Sequence, residues 1–88
     1  MLTRESILSV FRKQLKEILP TWDDSNFDPN LSIHEMGADS LNSVLVLFNS
    51  IHELGIRMIS ADHLHGRKLK DIAEELQVAS KENDPGGS

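Results

Sequence analysis

The chain has 88 residues, enough for one small domain with a modest core and too few for an elaborate catalytic cleft. Fourteen Asp and Glu against nine Lys and Arg leave a formal net charge of −5, which argues against nucleic acid and for partners with basic surfaces. Cysteine is absent, which excludes a disulfide framework, a Cys-ligated metal site and a thioester on the chain's own side chains.

The opening residues Met1-Leu2-Thr3-Arg4-Glu5 lack the charged-then-apolar layout of a signal peptide. No apolar run approaches the roughly 20 residues of a membrane span, so a cytosolic protein without membrane contact is expected. A first helix is predicted over 4–19, with Thr3 as N-cap. Ile7, Val10, Phe11, Leu15 and Ile18 recur at helical spacing and form one apolar stripe, while Arg12, Lys13, Lys16 and Glu17 read as a solvated face. Pro20 ends the helix because it has no N–H to donate. Residues 21–39 then read as a long loop, broken by Asp23, Asp24, Ser25, Asn26, Asp28, Pro29 and Asn30. A loop of about 19 residues in a small domain is functional or pinned, and Trp22, Phe27, Leu31, Ile33 and Met36 are the candidates for pinning it. No segment alternates as a strand would.

The second helix is predicted over 40–54, stopped by Gly55. A connector over 56–60 follows, then one short turn or helix over 61–65 before Gly66. The last helix is predicted over 68–78, with Leu69, Ile72, Ala73 and Leu76 inward and Lys70, Asp71, Glu74 and Glu75 solvated. Residues 81–88 have nothing to bury and read as a disordered C-terminal tail or linker. The expected architecture is all-α: a bundle of three to four helices over 1–80, with a long loop between helices 1 and 2.

Met36-Gly37-Ala38-Asp39-Ser40-Leu41 sets one serine where the loop becomes a helix. A hydroxyl there is exposed beside the unpaired N–H groups and positive dipole end of the helix, a favourable place for a phosphate. Leu54-Gly55-Ile56 and Leu69-Lys70-Asp71-Ile72-Ala73-Glu74-Glu75-Leu76 follow in order. Together these segments resemble the acyl and peptidyl carrier proteins, over about residues 7–76.

The resemblance implies a carrier domain that catalyses nothing itself. It implies a covalent 4′-phosphopantetheine, drawn from coenzyme A, on Ser40, with Asp39 and Leu41 helping a phosphopantetheinyl transferase recognise the serine. Acyl or aminoacyl groups would ride on the terminal thiol as thioesters. Partners of ketosynthase, acyltransferase, adenylation or condensation type would take them in turn, and the carrier would be a monomer.

The apolar residues of the second helix admit two divisions. Periodicity selects Val44, Leu47, Phe48, Ile51 and Leu54 as one stripe. The family register turns Val46, Leu47, Ser50 and Leu54 inward, leaves Leu41, Val44, Leu45 and Phe48 at least partly exposed, and leaves Ile51 open between the two faces; Ser50 departs from the family pattern. Fatty-acid carriers tend to be strongly acidic here, whereas Leu45, Ile51 and His52 occupy such places in this chain and Glu53 is the only acid between Leu41 and Leu54. Docking is therefore expected to be led by apolar contact through Leu41, Val44, Leu45 and Phe48, with Glu35, Asp39 and Glu53 as flanking charges. That leans toward polyketide or nonribosomal-peptide assembly, with a fatty-acid carrier as the alternative. The competing reading buries Leu45 and Ile51 against the long loop.

Two other classes compete with the carrier reading. A helical interaction module would use the same apolar helix without modification. A small hydrolase would need G-x-S-x-G after a strand, but Gly37 lies three residues before Ser40 and residue 42 is Asn. His34, His52 and Asp39 exist, yet nothing in the sequence places them together as a triad. His63 and His65 lack a third metal ligand and read as surface histidines, so no metal is expected.

Overall fold

The structure, a computed structural model, describes residues 2–57 and 62–82. Three α-helices and two 3-10 turns follow in the order α1 (Arg4–Ile18), η1 (Asp24–Asn26), α2 (Ser40–Leu54), η2 (Asp62–Leu64) and α3 (Leu69–Glu82). No strand occurs among the described residues; the one extended pairing is a single antiparallel bridge between Ser32 and Lys68. No described helix is long and apolar enough to cross a membrane. The connector expected over 56–60, the turn at 61 and the tail from 83 onward lie partly or wholly outside the described residues.

Thr3 starts α1 through a reciprocal capping box. Its Oγ1 accepts the Ser6 N–H at 3.1 Å, and Ser6 Oγ accepts the Thr3 N–H at 3.1 Å, so two otherwise orphan donors are satisfied. Ile7, Phe11 and Leu15 of α1 are fully buried. They pack against α2 and α3 both, so α1 is the helix the other two share. Val46, Leu47 and Ile51 face it from α2, and Leu69, Ile72, Ala73 and Leu76 from α3.

The expected α1 stripe needs one correction. Val10 and Ile18 are only half-buried, and Gln14 takes an inward place. Its amide Nε2 donates to Glu53 Oε1 of α2 at 3.0 Å, which satisfies the buried group. The basic face of α1 is also less free than expected. Arg12 stacks over the Phe27 ring at 4.5 Å, Lys13 Nζ reaches Glu53 Oε1 at 3.1 Å, and Lys16 Nζ reaches Asp24 Oδ2 at 3.0 Å. The ammonium groups remain largely in water, so these pairs add little stability, but they tie α1 to η1 and to α2.

Residues 19–39 are ordered by local hydrogen bonds rather than by a ladder. Trp22 Nε1 donates to the Met36 carbonyl at 3.0 Å, and its ring meets Phe27 edge-on at 6.3 Å. Ile33 and Met36 are buried, while Trp22, Phe27 and Leu31 are half-buried against the core. The segment also serves α3: the Pro29 and Leu31 carbonyls accept the N–H groups of Lys70 and Leu69 at 2.8 and 2.9 Å. Two donors that a helix start leaves unpaired are thereby satisfied.

Farther along, Leu64 of η2 is fully buried, and Glu75 of α3 accepts from His63 Nε2 at 2.8 Å and from Arg67 Nη1. The His63 bond first, and then Arg67, hold the Glu75 carboxyl below the ordinary glutamate range. The helix α3 runs to Glu82, four residues past the expected end at Val78 and into the segment expected as tail.

Ser50 is fully buried in α2, and its Oγ has no hydrogen-bond partner. An unpaired buried hydroxyl costs about 1–3 kcal/mol. Ser50→Ala is therefore expected to stabilise the fold by about 1 kcal/mol, read as a higher urea midpoint with an unchanged slope.

Candidate functional site

Ser40 is the first residue of α2 and is exposed. Asp39 precedes it as N-cap in extended conformation, and its Oδ1 accepts the Asn42 N–H at 2.8 Å while its carbonyl accepts the Ser43 N–H at 2.8 Å. The N–H groups of Ser40 and Leu41 have no carbonyl one turn back within the helix. They stay available to an oxyanion on Ser40, whereas Asp39 occupies the Asn42 N–H.

The approach to Ser40 is fixed from below. Ala38 is buried, and the buried Ser43 Oγ donates to its carbonyl at 3.4 Å. Gly37 has φ +120°, a backbone region that favours glycine, so the chain turns sharply between the buried Met36 and Ala38. Glu35 sits in the turn before. Its carboxylate accepts the Ser32 N–H at 2.9 Å, and that bond, followed by the Ser32 hydroxyl, holds its carboxyl below the ordinary range.

The outward face of α2 begins at Ser40. Leu41 is 70% exposed, Leu45 41% and Phe48 44%; at spacings of four and three they form one stripe running down the helix from the serine. Val44 beside them is half-buried. Ser43, Val46, Leu47, Ser50 and Ile51 are buried and Leu54 is half-buried. Ile51, which the sequence left open between the two faces, is buried. The stripe read from periodicity alone is corrected at Phe48, which is exposed, and at Val44, which is only half-buried. The competing burial of both Leu45 and Ile51 is corrected at Leu45.

Val44, Leu47 and Phe48 also line a cleft of about 270 Å³ whose other wall carries Asp62 and His65. The sequence could not reveal it, because its two walls come from separate segments of the chain.

The remaining residues singled out in the sequence stand apart from the stripe. Glu53 turns toward α1, where Lys13 and Gln14 bind it. His34 and His52 are exposed, and neither is hydrogen-bonded to Ser40 Oγ. His63 is engaged by Glu75, and no group of three His, Asp or Glu among the described residues is placed to hold a metal ion.

No family model, curated protein or solved structure matches the chain. The site consists of a primary hydroxyl in water, the N–H groups of Ser40 and Leu41 beside it, and an apolar stripe leading away.

The Asp39 cap yields a stability test. Asp39→Ala is expected to lower stability by about 1 kcal/mol, whereas Asp39→Asn keeps an oxygen for the Asn42 N–H and loses little. Urea denaturation of the two variants checks this.

Proposed function

We propose that the chain is a carrier protein of the acyl and peptidyl carrier type, and that Ser40 is its attachment point for 4′-phosphopantetheine. The observation that carries this reading is the position of the Ser40 hydroxyl, exposed at the first residue of α2 with the N–H groups of Ser40 and Leu41 beside it. Three α-helices and two 3-10 turns, with a long pinned link before α2, are compatible with a carrier-type bundle. The lack of cysteine means that any thiol for thioester chemistry must be supplied from outside the chain. When attached, phosphopantetheine supplies that thiol.

A separate transferase performs the modification. It removes the hydroxyl proton, joins Ser40 Oγ to the pantetheine phosphate of coenzyme A, and breaks the pyrophosphate bond so that adenosine 3′,5′-bisphosphate leaves. The chain's own part is to hold the hydroxyl in water, to offer N–H groups to the phosphate charge, and to present Asp39 and Leu41 for recognition. Tethering then raises the effective concentration of cargo at each partner enzyme.

Partners of polyketide or nonribosomal-peptide assembly in the cytosol fit the apolar α2 stripe better than a fatty-acid system does. Glu53, the single acid between Leu41 and Leu54, is already engaged by α1. An unmodified interaction module is the second reading, favoured by the exposure of Leu41, Leu45 and Phe48.

Intact mass after incubation with a promiscuous phosphopantetheinyl transferase and coenzyme A tests the first reading. The parent is expected to gain one phosphopantetheine, and Ser40→Ala to stay folded and gain none. No gain by a folded, initially unmodified parent beside a working control would overturn the carrier reading in favour of the module.

Docking yields a second expectation. Leu45→Asp or Phe48→Asp should weaken partner turnover more than Glu53→Ala, which leaves the Gln14 amide without its acceptor and so acts on stability. The reverse order in a steady-state assay would show that charge leads docking.

A further inference from the structure

The chain enters α2 from a turn over 32–37 that is closed by its own side chains. Ser32 Oγ accepts the Glu35 N–H at 3.1 Å, and Glu35 Oε1 accepts the Ser32 N–H at 2.9 Å. The peptide unit that leaves this turn, Met36–Gly37, is held at both of its polar ends. Its N–H donates to the His34 carbonyl at 3.0 Å, and its carbonyl accepts the Trp22 Nε1–H, also at 3.0 Å. The first bond is local. The second comes from a side chain 14 residues away.

Trp22 is itself anchored. Its backbone N–H donates to the Leu19 carbonyl at 2.9 Å, its ring meets Phe27 edge-on, and Phe27 lies under the Arg12 guanidinium of α1. A path of contacts thus runs from α1 through Phe27 and Trp22 to the peptide three residues before Ser40. Gly37, at φ +120°, is the joint in that path, because a residue without a Cβ gives little resistance to rotation of the peptide beside it.

We propose that Trp22 is a positioning residue for Ser40. By fixing the Met36 carbonyl, its indole N–H sets the direction in which the chain passes through Gly37 and Ala38 into the Asp39 cap, and so where the Ser40 hydroxyl stands. This placement belongs to the unmodified protein; its bearing on modification rests on the carrier reading. Without the indole N–H the peptide keeps only its bond within the turn, and the segment 37–40 samples a second arrangement. A partly buried hydrogen bond of this kind shifts such a population about two- to tenfold. A transferase that accepts one arrangement then binds the carrier more weakly by the lost fraction, while the bound complex reacts as before.

Trp22 is the chain's single tryptophan, so replacing tryptophan by an analogue alters this position alone. Benzothienylalanine keeps the fused ring and puts sulfur in place of the N–H; fluorotryptophan keeps both and is the control. In the unmodified benzothienylalanine protein, amide exchange at Gly37, Asn42 and Ser43 is expected to quicken about two- to tenfold, with Phe11 and Leu76 unchanged. The transferase KM for this protein is expected to rise by a similar factor with kcat unchanged, and the fluorotryptophan protein to match the parent in both assays. Trp22→Phe, which also lacks the N–H, is the second arm and should give the same pattern. Unchanged exchange at 37–43, or quickening that spreads equally to Phe11 and Leu76 as a merely structural role requires, would overturn the proposal. So would an unchanged KM, or an indole N–H in the parent that exchanges as fast as in the urea-unfolded chain. A parent that gains no phosphopantetheine sinks the carrier reading instead, and the exchange data then decide the placement by themselves.

Discussion

Burial of the Ile7, Phe11 and Leu15 stripe of α1 is the constraint on which the rest of the molecule depends. A chain of this length has one core, and α1 lies at its centre with α2 and α3 on it. Once both helices are committed to α1, they cannot cover each other's outer faces. The segment 62–67 closes part of that gap through Leu64, and the cleft beside Phe48 is what it leaves open.

The same arrangement explains the two-sided character of α2. Its inner face is filled by Val46, Leu47 and Ile51 against α1. Leu41, Leu45 and Phe48 are then left in water. Their exposure has a hydrophobic cost that the fold does not recover internally, and it falls on the helix that begins at Ser40. For the proposed carrier, the attachment point and the docking stripe thus share one rigid element, so a partner that recognises the stripe also finds the serine.

A few of the charges in this acidic chain join its elements. Glu53 bridges α2 to Lys13 and Gln14 of α1, Asp24 joins η1 to Lys16, Glu75 joins α3 to His63 and Arg67, and Asp39 caps α2. Docking of the proposed kind is left to apolar contact, with Glu35 and Asp39 near the serine.

The sequence by itself determined whatever is settled within a turn or two of chain. The start of α1 at Thr3, the span of α2 from Ser40 to its αL cap at Gly55, and the inward quartet of α3 follow from local capping and spacing. The exposed serine at the head of α2 was legible for the same reason. The far end of α3 was not, because the expectation stopped at the last large apolar residue, whereas a started helix continues through residues such as Ala79, Ser80, Lys81 and Glu82 that bring no glycine or proline to stop it. Only the tertiary structure decided which side of α2 is buried, since a helix apolar on more than one face carries no periodic signal that singles out one of them. It alone turned Gln14 inward and Glu53 toward α1, and it alone brought His63, Arg67 and Glu75 to one point. Those contacts join residues distant along the chain, and their geometry comes from how α1 seats its two neighbours rather than from any local preference.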